Sequence, residues 1–486
     1  MGVPMTWTDT ERLVTQERST ADPYRFNRNA QRFIDYLCDK WAFPLYFRDR
    51  FYTYDGTRYV EIENLAHLIR TFFKEKDLPQ SNHMIQNVKP IVENYAYRAS
   101  HEYGDMPFYA GDDKEFPSAS TIIAYENGLL DLERYREGDY TLLAHTPKWV
   151  STFCLPYRFE PTAECPLWLE FLNDVFENDR QRIDLLQEWF GYCVTSDISH
   201  HKALVKIGPP RAGKGTTDVV LQAVVGEDHA TGFNLHYLAD KFGPRRLEGK
   251  LVAFVGEVNL ANSRDKYRIL ETWNSIIGGD PIPIERKNKD ESPSTVLPTR
   301  FSISCNEMPS FVDPTGALSA RLLILNYDKS NVGREDRSLA KRLLAEIVGI
   351  SNWALQGYVR LTKQGEFTLP EKMTTLSNQF RRDNSHLFAF MQDCLVVHGS
   401  LDPGNLDGVR ITDDEVESHS VELQDAYSAW CMEHSVDPNF AWFGRSIRAM
   451  LPKIQTKREN RKVEDPYGGG IKTRKVIVYF GIGLAL

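Results

Sequence analysis

ALVKIGPPRAGKGTTDVVLQAVVG, residues 203–226, reads as an apolar strand, a glycine-rich loop and a helix that ends at Gly226. Phosphate-binding loops are built in this order, because the turn must present backbone N–H groups to an anion at a helix N-terminus. In GPPRAGKGT, Gly208 and Gly213 take the fixed glycine positions of the GxxxxGK pattern, and Lys214 is the lysine that reaches the β- and γ-phosphates. The expected nucleotide cradle is therefore Gly208, Pro209, Pro210, Arg211, Ala212, Gly213, Lys214, Gly215 and Thr216, with ATP as its ligand. The position after the lysine normally gives a hydroxyl to Mg2+. Here it is Gly215, so Thr216 or a water must take that part.

Downstream, KLVAFVGEV (250–258) is a buried strand ending in Glu257, a carboxylate placed to orient an attacking water or to hold the metal shell together with Thr216. RFSISCNEMP (300–309) is a third strand ending in Asn306, a neutral group suited to the γ-phosphate or the lytic water. A fourth, RLLILNY (321–327), begins with Arg321. Lys214, Glu257, Asn306 and Arg321 are thus expected near consecutive strand ends, the arrangement of a ring ATPase. Residues 203–330 form an α/β segment with a mainly parallel sheet on this reading.

The flanks are read from periodicity. Residues 1–158 form an N-terminal α+β domain, with a hairpin at Asp55-Gly56, a helix presenting Leu65, Ile69 and Phe72, and a second hairpin turning at Asn127-Gly128. Residues 159–202 are helical, and the stripe of Trp168, Phe171, Leu172, Leu185, Leu186, Trp189 and Phe190 is read as core. A second helical region, 331–397, precedes a C-terminal domain, 398–486, which opens on a polar, Gly- and Asp-rich stretch. Two amphipathic helices follow (421–434 and 441–451), then a basic run (Lys453, Lys457, Arg458, Arg461, Lys462) and a strand-like pair in IKTRKVIVYFGI (471–482). Helix, helix and hairpin suggest a winged helix, whose cations, continued in Lys472, Arg474 and Lys475, could hold duplex DNA.

Composition bounds the class. With 42% hydrophobic and 26% charged residues the 486-residue chain is expected to be globular and ordered, and to exceed one core. A net charge of -9 argues against coating nucleic acid through the whole surface, so any contact must be local. Seven scattered cysteines without a CxxC pair point to a reducing cytoplasm rather than to zinc or disulfides, and no apolar run is long enough to span a bilayer.

In order along the chain, these segments resemble the superfamily 3 helicases, in particular the poxvirus-type primase-helicase group of phages and plasmids. ETWNSIIGGDPIPIERK (271–287), CNEMPSF (305–311) and SARLLILNY (319–327) look like the family's segments after the Walker B strand, around the sensor asparagine and on the arginine-bearing strand. IAYENGLLDLE (123–133) and LLQEWFGYCVT (185–195) are similar to its region before the ATPase, and AYSAWCMEH (426–434) and VIVYFGIGL (476–484) to its winged helix. The resemblance implies an AAA+-like P-loop core and a homo-hexameric ring translocating 3′ to 5′ on single-stranded or forked DNA, with ATP at subunit interfaces.

It further implies that Arg321 is an arginine finger, with Arg245 and Arg246 as alternatives. A basic hairpin tip carrying Arg286, Lys287 and Lys289, between the extended segments of 282–300, would face the channel and grip phosphates. Before the loop there is no paired-carboxylate strand of the kind a primase uses, so either a primase is encoded elsewhere, or the chain is a helicase fragment, or the protein only loads and unwinds. Two other readings stand beside this one: a nucleic-acid-stimulated ATPase that remodels or loads without unwinding, and a small-molecule kinase, since GKGT loops also occur in nucleoside monophosphate kinases.

Overall fold

The computed structural model describes residues 24–40, 42–110, 116–258, 260, 263–285, 294–309, 311, 318–333, 336–401, 408–440, 443–464 and 471–485. Packing groups the chain into two compact units: Met1–Ala119 with Ala144–Thr152, and Ser120–Leu143 with Phe153–Leu486.

In the first unit, helices Arg25–Asp39, Leu65–Glu75 and Asn82–Ala96 close a core around Phe33, Ile69, Phe73, Val88 and Val92. Beside them lies an antiparallel sheet of Pro44–Phe47, Arg50–Tyr54 and Tyr59–Glu61. Its second turn is the expected one: the Asp55 carboxylate accepts from the backbone N–H of Thr57 (2.8 Å) and of Arg58 (2.9 Å), fixing the reversal at Gly56. Leu65, Ile69 and Phe72 are buried along one face of their helix, as their spacing predicts.

In the second unit, the hairpin Ile122–Tyr125 and Gly128–Asp131 turns through Glu126 and Asn127. The sequence reading put the turn one residue later, at Asn127-Gly128; Tyr125 pairs with Gly128, so the glycine already belongs to the ladder. The hairpin packs into the main core, where Tyr125 Oη meets Ser351 Oγ at 2.9 Å.

Helices α1 (Pro166–Val175) and α2 (Arg180–Cys193) follow. Proline opens α1 where its missing N–H costs nothing, and the next two N–H groups, of Leu167 and Trp168, donate to the Glu346 carboxylate at 3.2 and 3.0 Å. Trp168, Leu172, Leu185, Leu186, Trp189 and Phe190 are all fully buried, with Phe171 packed against them, so the aromatic stripe is core.

The centre of the unit is a five-stranded sheet: β1 (Ala203–Ile207), β2 (Ala230–Gly232), β3 (Val252–Val255), β4 (Arg300–Cys305) and β5 (Leu322–Asn326). The spatial order is β5-β1-β4-β3-β2 and every neighbouring pair is parallel. Strands buried on both faces need near-continuous apolar sequence, which β1 and β5 have. Parallel pairing also brings every carboxyl end to one edge. There β1 lies between two strands that are not its chain neighbours, so the connection leaving it opens into a crevice, where α/β sheets bind ligands. Helices α3 (Lys214–Val225), α4 (Lys266–Ile277) and α5 (Ile347–Gln364) belong to the same core, and α6 (Glu371–Asn384) adds Met373 and Phe380 to it.

A smaller core holds the C-terminal region, in which α7 (His386–Cys394) precedes β6 (Leu395–His398), β7 (Arg410–Thr412) and β8 (Glu417–His419). Helices α8 (Ser420–Glu433) and α9 (Phe443–Met450) come next, then β9 (Gln455–Glu464), β10 (Ile471–Phe480) and β11 (Ile482–Leu484). The long hairpin departs from the sequence reading, which took the basic run as a connection and placed both strands within 471–482. The run is itself β9, paired residue for residue with β10 from Gln455–Phe480 to Glu464–Ile471. A strand whose side chains lie mostly in solvent has no apolar alternation to reveal it.

Candidate nucleotide-binding site

The loop from Gly208 to Gly213 joins β1 to α3 at the carboxyl edge of the sheet. Gly208 has φ 152° and Gly213 φ 99°, outside the range of ordinary L residues. A side-chain carbon on Gly208 would lie 2.0 Å from the Tyr327 carbonyl oxygen, so both backbone freedom and bare space are required there. The segment after β5 ties the loop down: Tyr327 N–H donates to Ile207 O (2.7 Å), Ser330 Oγ to Pro210 O (2.9 Å) and Asn331 N–H to Arg211 O (3.1 Å). That segment is in turn held by Arg182 of α2, nearly buried, whose guanidinium bonds Asp179 (2.8 Å), Asp328 (3.0 Å) and the carbonyls of Asn326 (3.2 Å) and Phe176 (3.0 Å).

Three of the four anticipated catalytic side chains meet beside this loop. Lys214 Nζ folds back to the carbonyls of Gly208 and Pro209 and lies 3.4 Å from Asn306 Oδ1. The Asn306 backbone N–H donates to Glu257 Oε1 at 2.8 Å. Burial pulls the Lys214 ammonium below the ordinary lysine pKa, and the negative charge of Glu257 acts the other way. Among the described residues Lys214 has only neutral oxygens as bonding partners, at the first residue of a twelve-residue helix. A cation without a bonded carboxylate at a helix N-terminus suits a phosphate chain. The loop residues therefore fit ATP.

The fit to Mg2+ is narrower. Thr217 Oγ1 is buried and engaged by Lys214 O (2.7 Å) and Tyr327 Oη (3.1 Å), so it is no ligand, and the partly exposed Thr216 is the hydroxyl left on the first turn of α3. Glu257, exposed after β3, is the carboxylate at hand. Among the described residues no group of three His, Cys, Asp or Glu side chains is placed to hold an ion. That pattern suits a magnesium held mainly by phosphate and water.

Arg321 does not join the other three. It precedes β5, and Leu322 pairs with Ala203, the first residue of β1. In a parallel sheet this is the amino edge, about 16 Å along the strands from the loop at ~3.3 Å per residue. Its guanidinium instead approaches Asn274 Oδ1 of α4 at 3.3 Å. The alternatives Arg245 and Arg246 are exposed on the short helix Pro244–Leu247, with Arg246 over the Tyr237 ring at 4.4 Å. Ile282–Pro283 pairs antiparallel with Ser294–Thr295, giving the base of the expected hairpin; Arg286, Lys287 and Lys289 lie outside the described residues.

A buried ion pair under the site escaped the sequence reading. Lys206, one residue from the end of β1, bonds Asp218 of α3, whose carboxylate also accepts from Ser304 Oγ (2.7 Å) and Ser302 Oγ (3.2 Å) of β4. A lysine inside the otherwise apolar ALVKI was the available signal.

Residues 30–177 match a family model described as D5 N terminal like, and residues 207–321 a family of unknown function, DUF5906. The second stretch runs from the last residue of β1 to Arg321 and so spans the loop, Glu257 and Asn306. No curated protein matches the chain. Among solved structures, the apo NrS-1 C terminal region is similar, with 15% identity, 93% of this chain and 99% of that chain covered and a TM-score of 0.52. An A form of the same region gives 15% identity, coverage of 93% and 99%, and a TM-score of 0.48. At such identity the first of these likenesses speaks for the fold, a mixed α/β architecture around a parallel five-stranded sheet.

Proposed function

We propose that this chain is an ATP-hydrolysing DNA helicase of the superfamily 3 type, serving phage- or plasmid-like DNA replication as a homo-hexameric ring that moves 3′ to 5′ along one strand. The observation that carries the reading is the convergence of Lys214, Glu257 and Asn306 at the carboxyl edge of a β5-β1-β4-β3-β2 sheet. A glycine loop, a carboxylate and a sensor amide on three adjacent strands are the parts of a P-loop motor.

Lys214 neutralises phosphate charge, Glu257 orients the attacking water and takes up its proton, and Asn306 holds Glu257 through its N–H while its amide oxygen faces Lys214. Mg2+, bound with ATP by Thr216 and Glu257, would supply further charge neutralisation. Arg321 acts in trans. Its place at the amino edge keeps it from the site of its own chain, and a neighbouring subunit's γ-phosphate is the partner a ring would bring to it. The hairpin rising from Ile282 and Thr295 carries Arg286, Lys287 and Lys289 to the DNA, and the helix-helix-hairpin of α8, α9, β9 and β10 is a winged helix.

The test is hydrolysis and unwinding by the purified chain. ATP turnover should rise severalfold with single-stranded DNA, and forked duplexes should be separated only when a 3′ tail is offered for loading. Turnover that DNA stimulates without any strand separation would replace the helicase by a remodelling or loading ATPase. Turnover indifferent to DNA would remove the motor reading altogether.

A further inference from the structure

The register of β9 against β10 sorts the basic residues of this hairpin onto two unlike faces. Paired residues in an antiparallel ladder share a face, and the faces alternate along the strand. One face carries the pairs Lys457–Val478, Glu459–Val476, Arg461–Arg474 and Val463–Lys472. Its valines are buried against the partly buried Val421, and two of its four cations meet carboxylates: Lys457 Nζ lies 3.1 Å from Glu459, and Arg461 Nη2 lies 2.7 Å from Glu417 and 2.9 Å from Glu459.

The other face carries Thr456–Tyr479, Arg458–Ile477, Asn460–Lys475, Lys462–Thr473 and, at the end of the ladder, Glu464–Ile471. Tyr479 is buried in the core that also holds Tyr427, Phe443 and Ile447 of α8 and α9. Beyond it Arg458, Lys462 and Lys475 are exposed, with no hydrogen bond or ion pair among the described residues. Glu464, at the last pair, is the one carboxylate among the paired residues of this face. Arg448 of α9 adds to the same side: a side-chain carbon at Gly444 would lie 2.9 Å from Tyr479 Oη and 3.8 Å from Arg448 Nη2. A chain of net charge -9 thus presents, among the described residues, four cations with no bonded carboxylate along one helix edge and one ribbon face. Lysines that merely protect a strand edge from aggregation would need no such sorting by face.

We infer that this face binds the sugar–phosphate backbone of duplex DNA. Arg458 and Lys462 stand four residues apart on one strand, about 13 Å, close to the ~12 Å width of a major groove, so they can reach phosphates on its two sides. The choice of partner rests on the reading above; the cationic face itself does not.

The measurement is anisotropy of a labelled 20-base-pair duplex titrated with the full chain without nucleotide, between 50 and 200 mM salt. Without nucleotide, failure of the hydrolysis reading leaves this result standing. Arg458→Ser/Lys462→Ser/Lys475→Ser removes three phosphate contacts, lowering the log–log salt slope by about 0.9 for each. Over a fourfold rise in salt the wild-type advantage should therefore shrink by roughly 40-fold. A charge-matched variant on other exposed positions, Arg180→Ser/Lys341→Ser/Lys363→Ser, should keep the wild-type slope. Unchanged duplex affinity and slope in the first variant, equal loss in both, or tighter binding of polyglutamate or anionic vesicles than of duplex would each overturn the assignment. Circular dichroism and melting of both variants ensure that a lost slope is not lost folding.

Discussion

Asp218→Leu strikes at the ion pair beneath the nucleotide loop, and its cost can be worked from the contacts. Lys206 is about 1% exposed, and Asp218 is its bonded carboxylate. Removing that partner leaves an ammonium uncompensated inside the sheet, a change that costs roughly 3–5 kcal/mol. The hydroxyls of Ser302 and Ser304 also lose their acceptor, about 1 kcal/mol each if nothing replaces it. At an unfolding entropy of about 2.1 cal/mol/K per residue, a unit of this size shifts by roughly 1.3 °C per kcal/mol, so the calorimetric transition of the second unit should fall by on the order of 10 °C. Lys206→Met with Asp218→Leu removes both charges at once and should recover most of that loss, since a buried ion pair is generally replaceable by apolar packing.

The pH dependence has a defined sign. Burial lowers the Lys206 pKa while Asp218 opposes it, so the native lysine releases its proton before the unfolded one, which titrates near ~10.4. Between those two values the unfolded chain binds more protons, and stability rises with pH. Without Asp218 the window widens downward, so the deficit of Asp218→Leu should shrink from pH 7 toward pH 10, and that of the double variant should not. A single variant melting within about 2 °C of wild type, or a double variant as unstable as the single, would refute the reasoning.

Three further outcomes are expected. Lys214→Ala should fold normally and lose ATP hydrolysis, because the loop whose carbonyls the ammonium bonds is also tied down by Ser330 and Asn331, as turnover and a melting curve on one preparation would show. Gly208→Ala forces a carbon to within 2.0 Å of the Tyr327 carbonyl; opening that contact should weaken ATP binding at least tenfold by a fluorescent-nucleotide titration, and an unaltered affinity would contradict the geometry. Arg321→Ala should bind ATP yet hydrolyse it on the order of a thousandfold more slowly. Mixed with Lys214→Ala it should regain turnover, and no recovery under demonstrated subunit exchange would count against a finger acting in trans.

Local sequence was enough for the order of strand, loop and helix over residues 203–226. GPPRAGKGT needs only short-range geometry, because two glycines at positive φ and the helix that follows set the turn. The ends of the strands at Glu257 and Asn306 were legible for a related reason: buried parallel strands require unbroken apolar runs, and a polar residue closing such a run marks the carboxyl edge. Hydrophobic spacing likewise marked Leu65–Ile69–Phe72 and the stripe from Trp168 to Phe190 as core.

What the tertiary structure alone decided is pairing across the chain. The contact of Asn306 with both Lys214 and Glu257 depends on β4 lying between β1 and β3, an order that no local pattern encodes. The same pairing sends Arg321 to the opposite edge, because a residue before a parallel strand and a residue after one cannot share an end. Lys206, read alone, is a lysine in an apolar strand; only the fold supplies Asp218 and two serines to receive it. In β9 the sequence by itself determined a basic segment, and the ladder with β10 determined which of its cations meet carboxylates and which stand in solvent, since in a strand exposed on both faces the partner's register, not hydrophobicity, fixes where each side chain points.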